Sequence, residues 1–246
     1  MAERSGRAGW PDPPPLLRLD EGDVHVWRAS LSAPSPALAA PLAADERARA
    51  DRFRFPVDRD RFIAARGILR ALLARYLDRD PADLRFTYGP HGKPALAAPA
   101  ATGGLEFNLS HADDVALVVV ARGREVGVDI ERVRPLPDLD AVAAVMFSPA
   151  ERDLLAAAPP DRRPDLFFKL WTHKEAYLKA LGSGLSRRPA DSTILFGAAR
   201  STVADPAWPP DATPWTLCAL DVGAELAAAL AVAGADWRLT CRQWPE

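Results

Sequence analysis

Apolar and polar positions divide the chain into two stretches with the same order of elements. Asp23–Ala29 alternates around Val24 and Val26, which predicts a strand. Ala33–Pro41 is rich in Pro and Ala and reads as a loop. Asp45–Asp51 reads as a short helix. Over Asp58–Leu77 the stripe Phe62, Ile63, Ile68, Leu69, Leu72, Leu73 and Tyr76 keeps close to a 3.6-residue period and predicts a long helix. Leu84–Tyr88 reads as a short strand and Gly89–Pro94 as a turn. Leu105–Leu109 and Val115–Ala121 are predicted strands, and Arg122-Gly123-Arg124 reads as a hairpin turn into a third, Val126–Glu131. After a turn at Arg134–Pro137 come a helical region, Leu139–Ala144, and a helix, Pro149–Ala157, with Ser148 as its N-cap. Asp165–Leu181 is a strong helix, which Gly182 and Gly184 are expected to end in a left-handed cap. Ser192–Phe196, Trp215–Leu220, Leu226–Val232 and Trp237–Gln243 are candidate strands.

The two stretches repeat one another. Leu42-Ala-Ala-Asp-Glu46-Arg47 matches Phe147-Ser-Pro-Ala-Glu151-Arg152, and a long helix follows each. The tripeptide Pro81-Ala82-Asp83 then recurs as Pro189-Ala190-Asp191, and each copy leads into a short strand and two further ones. A period of this length is too long for a solenoid. It predicts an α+β fold with a pseudo-two-fold duplication: two similar α/β subdomains and the active site in the cleft between them. The expected division is a disordered leader over 1–19, an N-terminal subdomain over 20–125 and a C-terminal one over 126–246. Met1–Pro15 in particular is rich in Gly, Pro and charge.

Composition narrows the class. The 246 residues carry a formal net charge of -2, which argues against a nucleic-acid coat or a polybasic membrane binder. Cys218 and Cys241 are the two cysteines, too few for a four-ligand zinc site or a disulfide framework. Apolar runs are too short to span a bilayer, and Met1–Pro15 has no apolar core of the kind a secretion signal needs. A soluble, cytoplasmic protein is expected. Of the 31 basic residues only Lys93, Lys169, Lys174 and Lys179 are lysine. A GC-rich genome favours arginine, which makes each retained lysine informative.

Four groups of residues carry candidate chemistry. In Gly127-Val128-Asp129-Ile130-Glu131, positions i and i+2 of a strand share a face, so Asp129 and Glu131 point the same way. Two neighbouring carboxylates repel unless a cation or proton lies between them, and hard oxygen ligands suit magnesium. A solvated strand end neutralised by Arg132 and Arg134 is the plain alternative. On the helix through Trp171-Thr172-His173-Lys174-Glu175, the residues Phe168, Thr172, Glu175 and Lys179 share a face apart from the apolar one. Glu175 and Lys179 are i and i+4, either a surface ion pair worth roughly 0.3–0.5 kcal/mol or a metal ligand and a phosphate-binding cation. In Phe107-Asn108-Leu109-Ser110-His111, Ser110 and His111 are donors for an anion; no partner set for a Ser-His-Asp hydrolase accompanies them. From Arg47 to Arg75 nine arginines face three acids. A subset suits a multiply phosphorylated ligand, because guanidinium matches phosphate geometry. Without aromatic interleaving, nucleic acid is the poorer partner.

In this order the segments Gly92-Lys93-Pro94, Phe107-Asn108-Leu109-Ser110-His111, Gly127-Val128-Asp129-Ile130-Glu131 and Trp171–Lys179, then Gly182-Ser183-Gly184-Leu185, resemble those of the Sfp-type 4'-phosphopantetheinyl transferases. The resemblance runs from about Val24 to Arg242. It implies a magnesium-dependent enzyme that transfers the 4'-phosphopantetheine arm of coenzyme A to a serine of an apo acyl or peptidyl carrier protein and releases adenosine 3',5'-bisphosphate. By resemblance, Asp129, Glu131 and Glu175 hold Mg2+, Glu175 takes the serine proton directly or through water, and Lys179 contacts the pyrophosphate. Ser110 and His111 bind phosphate, Lys93 lies near the adenine, and Arg49 grips the 3'-phosphate with Arg66 as a second candidate. A second expected cation falls on Glu46, and Ser183 stands where lysine is common. A monomer is expected from the duplication. A non-catalytic coenzyme A or carrier-protein binding module is the other class; the carrier's pathway, fatty acid, polyketide or nonribosomal peptide, is left open.

Overall fold

The computed structural model describes residues 9–32, 35–98, 104–182, 187–209 and 212–245. Ser183, Gly184 and Leu185 lie outside them, as do Ala33 and Pro34. The first repeat runs β1 (Asp23–Ser30), α1 (Pro36–Ala39), α2 (Ala44–Ala50), α3 (Pro56–Leu77), β2 (Phe86–Tyr88), β3 (Pro94–Leu96), β4 (Leu105–Ala112) and β5 (Val115–Arg122). The second runs β6 (Val126–Arg132), α4 (Leu139–Met146), α5 (Pro149–Ala157), α6 (Arg163–Leu181), β7 (Thr193–Leu195), β8 (Ser201–Ala204), β9 (Trp215–Ala219), β10 (Leu226–Ala233) and β11 (Arg238–Gln243). One 3-10 turn at Pro81–Asp83 and its counterpart at Pro189–Asp191 occupy the repeated tripeptide.

Two sheets result, with strand orders β11-β1-β5-β4 and β6-β10-β9-β8-β7, and β2 pairs with β3 apart from them. Within each sheet the first strand of the repeat adjoins the last long one and then its hairpin partner, β1-β5-β4 against β6-β10-β9. The fold is therefore α+β, two similar sheet-and-helix units flanking a cleft. The sheets face one another across a core of Val24, Val26, Leu117 and Val119 from one and Val126, Val128, Ile130, Leu230 and Val232 from the other. α3 covers the outer face of the first sheet through Leu69, Leu72 and Leu73 against Val118 and Val120. α6 covers the second through Ala176, Tyr177 and Ala180 against Ala229 and Ala231. β5 and β10 are buried on both faces, which is why both read as nearly continuous apolar runs.

A buried ion pair proves the duplication at atomic scale. Glu46 accepts from Arg70 Nε at 2.7 Å, and Arg70 Nη1 donates to the carbonyls of Pro81 (2.8 Å) and Leu84 (3.0 Å). Glu151 pairs with Lys174 Nζ at 2.8 Å, and that ammonium donates to the carbonyls of Pro189 (2.8 Å) and Ser192 (2.5 Å). Glu46 and Glu151 each sit at the third position of a short helix and accept the backbone N–H three residues back, from Ala43 and Ser148. In both copies the carboxylate ties a short helix to a long one, and the cation ties the long helix to the turn after it. Leaving such charges unpaired in the interior would cost several kcal/mol. Glu46 is thus a buried structural anion, held by Arg66 and Arg70.

Several boundaries differ from the sequence pattern. Arg122-Gly123-Arg124 does not make a hairpin: β5 is flanked on both edges by β1 and β4, so β6 has no place beside it and pairs with β10 in the other sheet. Within Ala33–Pro41, Pro36 starts a short helix, the first helical position being the one that tolerates proline. Residues 9–19, read as part of a disordered leader, are packed: Leu17 and Leu19 are buried, and Trp10 Nε1 donates to the Asp221 carbonyl. β11, near the end of the second repeat, crosses to pair in parallel with β1. Gly182 caps α6 at φ 64°, as expected.

Candidate active site

β4 and β6 are the edge strands of their sheets, and they lie side by side without a backbone ladder. Side chains fasten the seam. Asn108, buried on β4, accepts the Val128 N–H through Oδ1 at 3.0 Å. Two residues on, along the same face of β4, Ser110 Oγ donates to Asp129 Oδ1 at 3.0 Å. α6 lies directly over β6 because Gly127 has no side chain: a Cβ there would stand 2.1 Å from the Ala176 carbonyl oxygen and 2.5 Å from the Ala180 nitrogen. This contact brings Lys179 Nζ to 2.5 Å from Asp129 Oδ1 and 2.9 Å from Ser110 Oγ.

Asp129 is 2% exposed, and its second oxygen, Oδ2, is buried without a hydrogen-bond partner. Val128 and Ile130 point into the core between the sheets while Asp129 and Glu131 line a cavity, the alternation expected of this strand. Burial raises the Asp129 carboxyl above the ordinary carboxylate range, and Lys179 pulls it back. Burial also raises Glu131 and Glu175, with the Asp129 charge adding to both; Lys179 opposes the rise. The three acids therefore feel one another. Among the described residues, however, no three His, Cys, Asp or Glu side chains are gathered closely enough to hold a metal. The donor chemistry still fits one: three carboxylates are hard oxygen ligands, and Asp129 Oδ2 is a buried oxygen without a hydrogen-bond partner.

Lys179 pairs with Asp129 rather than with Glu175, so the i, i+4 ion pair on the helix surface is absent from the described pairs. Nor is the face of Phe168 and Thr172 polar; both are buried, and Thr172 Oγ1 donates back to the Phe168 carbonyl at 2.9 Å.

A cavity of about 380 Å³ is lined by Arg49, Arg66, Ser110, His111, Asp129, Glu131 and Lys179. A second, of about 270 Å³, is lined by His91, Lys93, Asn108 and Glu175 and shares Gly92, Pro94, Leu109 and Lys179 with the first. All nine candidate site residues thus border one continuous cleft. Two of them are engaged otherwise than the sequence suggests. Lys93 Nζ donates to the Ala180 carbonyl at 2.7 Å and the Val126 carbonyl at 3.3 Å, so it ties the turn after β2 to α6 and β6. Arg66 is 8% exposed, pairs with Glu46 at 2.9 Å and donates to the Tyr88 hydroxyl at 2.5 Å. Arg49 lies over the Phe62 ring at 5.2 Å, facing the same cavity. Asn108, which the sequence placed inside a motif without a role, is the seam residue; its signal was an amide on a strand whose neighbours at 107 and 109 are apolar.

Family models match both repeats: one described as 4'-phosphopantetheinyl transferase, N-terminal, over residues 25–123, and one described as 4'-phosphopantetheinyl transferase superfamily over 125–232. The 4'-phosphopantetheinyl transferase HetI of Nostoc sp. is 42% identical over 232 residues, covering 93% of this chain and 95% of the relative. The 4'-phosphopantetheinyl transferase of Bacillus subtilis is 31% identical over 169 residues, 69% of this chain and 72% of its own. The 4'-phosphopantetheinyl transferase AcpT of Escherichia coli K12 is 37% identical over 158 residues, 64% and 74% respectively.

Proposed function

Since the chain belongs to the 4'-phosphopantetheinyl transferase superfamily and is an enzyme of that chemistry, we propose that it is of the Sfp type and loads an apo acyl or peptidyl carrier protein from coenzyme A. The observation that carries the reading is the meeting of Ser110, Asp129 and Lys179 at one point in a cleft that also holds Arg49, Arg66 and His111. Cations and donors line that cleft, as the phosphates of coenzyme A would require, and three acids line it beside them.

In this reading Arg49, with Arg66 behind it, holds the 3'-phosphate by charge-assisted hydrogen bonds. His111 and Ser110 donate to phosphate oxygens, and Lys179 neutralises the pyrophosphate. Lys93 shapes the adenine end from its seat on the α6 carbonyls. Glu175, whose carboxyl burial raises, accepts the proton of the carrier serine, directly or through water, which suits a general base better than an ordinary surface glutamate would. The serine oxygen then bonds to the phosphorus that bears pantetheine, and the bond from that phosphorus to the bridging oxygen breaks. Adenosine 3',5'-bisphosphate leaves. Magnesium, held by Asp129, Glu131 and Glu175, would supply charge neutralisation on the pyrophosphate. The protein's share is positioning and electrostatics, as in other phosphoryl transfers.

The two repeats, 20–125 and 126–246, are taken as the two subdomains, and a single chain as the working unit in the cytoplasm. No helix among the described residues is long and apolar enough to cross a membrane. The test is intact-mass measurement of candidate apo carriers from fatty-acid, polyketide and nonribosomal peptide systems, incubated with coenzyme A and magnesium. Gain of one phosphopantetheine on a carrier serine is expected, and its loss when chelator replaces magnesium. A chain that binds coenzyme A but modifies no carrier would sink the assignment.

A further inference from the structure

Phosphate binding does not explain why a cation already rests on Asp129. The Lys179 side chain is 31% exposed and its Asp129 partner 3%. The ammonium therefore reaches in from the cleft wall and can withdraw without unpacking the core. Lys174 is the contrast: it is fully buried and locked onto Glu151 and two carbonyls. Asp129 spends one oxygen on Lys179 and Ser110 and has nothing on the other. A buried carboxylate needs a countercharge, and Lys179 is that countercharge.

We propose that Lys179 is an exchangeable counter-cation. It neutralises Asp129 while the cleft is empty, and it yields that carboxylate to the divalent cation when the coenzyme's pyrophosphate offers the ammonium a second anion. The proposal rests on the magnesium reading above. It explains why the three acids sit in one cleft yet are not gathered into a cluster: carboxylates converge only around a cation, and the cation at hand is anchored to one of them. Ser110 is the pivot. Its hydroxyl donates to Asp129 and accepts from Lys179, so it keeps a partner whichever way the lysine swings. Coenzyme and metal must then bind with positive coupling, each favouring the arrangement the other needs.

The experiment is calorimetric titration of magnesium chloride into the coenzyme-free protein, with thermal unfolding at matched magnesium concentrations. It compares wild type with Lys179→Met and with Lys179→Gln, whose amide retains a donor for Asp129 and keeps a foldable arm if the methionine variant fails. Both variants are expected to bind magnesium about tenfold more tightly than wild type. Their melting temperatures should fall without magnesium and recover with it, at concentrations that leave wild type unmoved. If Lys179→Gln binds magnesium no more tightly than wild type, while coenzyme A raises the wild-type affinity, the exchange is overturned and the magnesium reading stands. If magnesium binds none of the three proteins, with or without coenzyme A, both fall together.

Discussion

At the scale of single residues, the site keeps charge where folding alone would not. Glu131 has its carboxyl raised by burial and then by Asp129 and Glu175. A carboxyl raised in the folded state favours folding most at low pH, and that advantage disappears as pH rises through its folded value. Ionising Glu131 is thus a burden on the folded protein. Glu131→Gln should leave the melting temperature of the metal-free protein equal or higher, while turnover at limiting magnesium falls by tenfold or more, in line with a lost ligand. A lower melting temperature with full turnover would make Glu131 structural. His173 carries the opposite sign. Burial, partly opposed by its contact with the Lys169 carbonyl, lowers its pKa to about 4. The unfolded chain takes that proton near pH 6.5, so stability is lost as pH falls from there toward 4, by about 1.4 kcal/mol per unit. Urea unfolding across that range should be flatter for His173→Gln than for wild type. The sequence shows which acids share a face, because strand and helix periods dictate it. It does not show which partner Lys179 takes, since Glu175 is adjacent in the helix while Asp129 is adjacent in space.

At the scale of elements, one glycine sets the working distance. α6 and β6 touch through Gly127, and its missing side chain lets Lys179 reach Asp129. Gly127→Ala must push the helix off the strand. Overpacking of this kind costs roughly 1–3 kcal/mol, but the larger effect should be on chemistry. Turnover measured well below the melting transition should drop at least tenfold, with a folded circular-dichroism spectrum; near-normal turnover would show that the helix can give way without disturbing the site. The motif containing this glycine is legible in the sequence, as are α3, α5, α6 and the long strands, because their periods are clear. β3 and β8 escape notice because three or four residues establish no period. The crossing from β5 to β6 is misread for a physical reason: a glycine between two apolar runs fits a hairpin, and only the occupancy of both edges of β5 forbids it. Glu46, Arg70, Glu151 and Lys174 likewise look like wet helix charges. Their burial follows from two repeats closing around matched turns, although the repeated tripeptide at 81–83 and 189–191 marks the place.

At the scale of the whole molecule, the proposed function divides the labour between the two repeats. Arg49, Arg66 and His111 come from the first repeat, and Asp129, Glu131, Glu175 and Lys179 from the second. In the proposed function the nucleotide grip and the phosphoryl chemistry therefore fall to different repeats, whose sheets adjoin at the seam between β4 and β6. No backbone ladder joins these two edges; Asn108 on Val128 N–H and Ser110 on Asp129 do so instead. Asn108→Leu preserves bulk but strands a buried backbone donor, at a cost of roughly 1–3 kcal/mol. It should also loosen the register between the grip and the acids. A misplacement of that kind penalises rate more than affinity, because the bound coenzyme is no longer aligned with the reacting groups. Asn108→Leu should therefore lower kcat about tenfold to a hundredfold and change the coenzyme A dissociation constant less than threefold, provided it is assayed well below its melting temperature. Arg49→Ala should do the reverse, weakening coenzyme A tenfold or more while sparing kcat at saturation and barely affecting dephospho-coenzyme A. Kinetics and calorimetry on the two variants side by side test the division. If both variants lose affinity and rate in the same proportion, the two repeats do not carry separable tasks and the seam is only a structural joint.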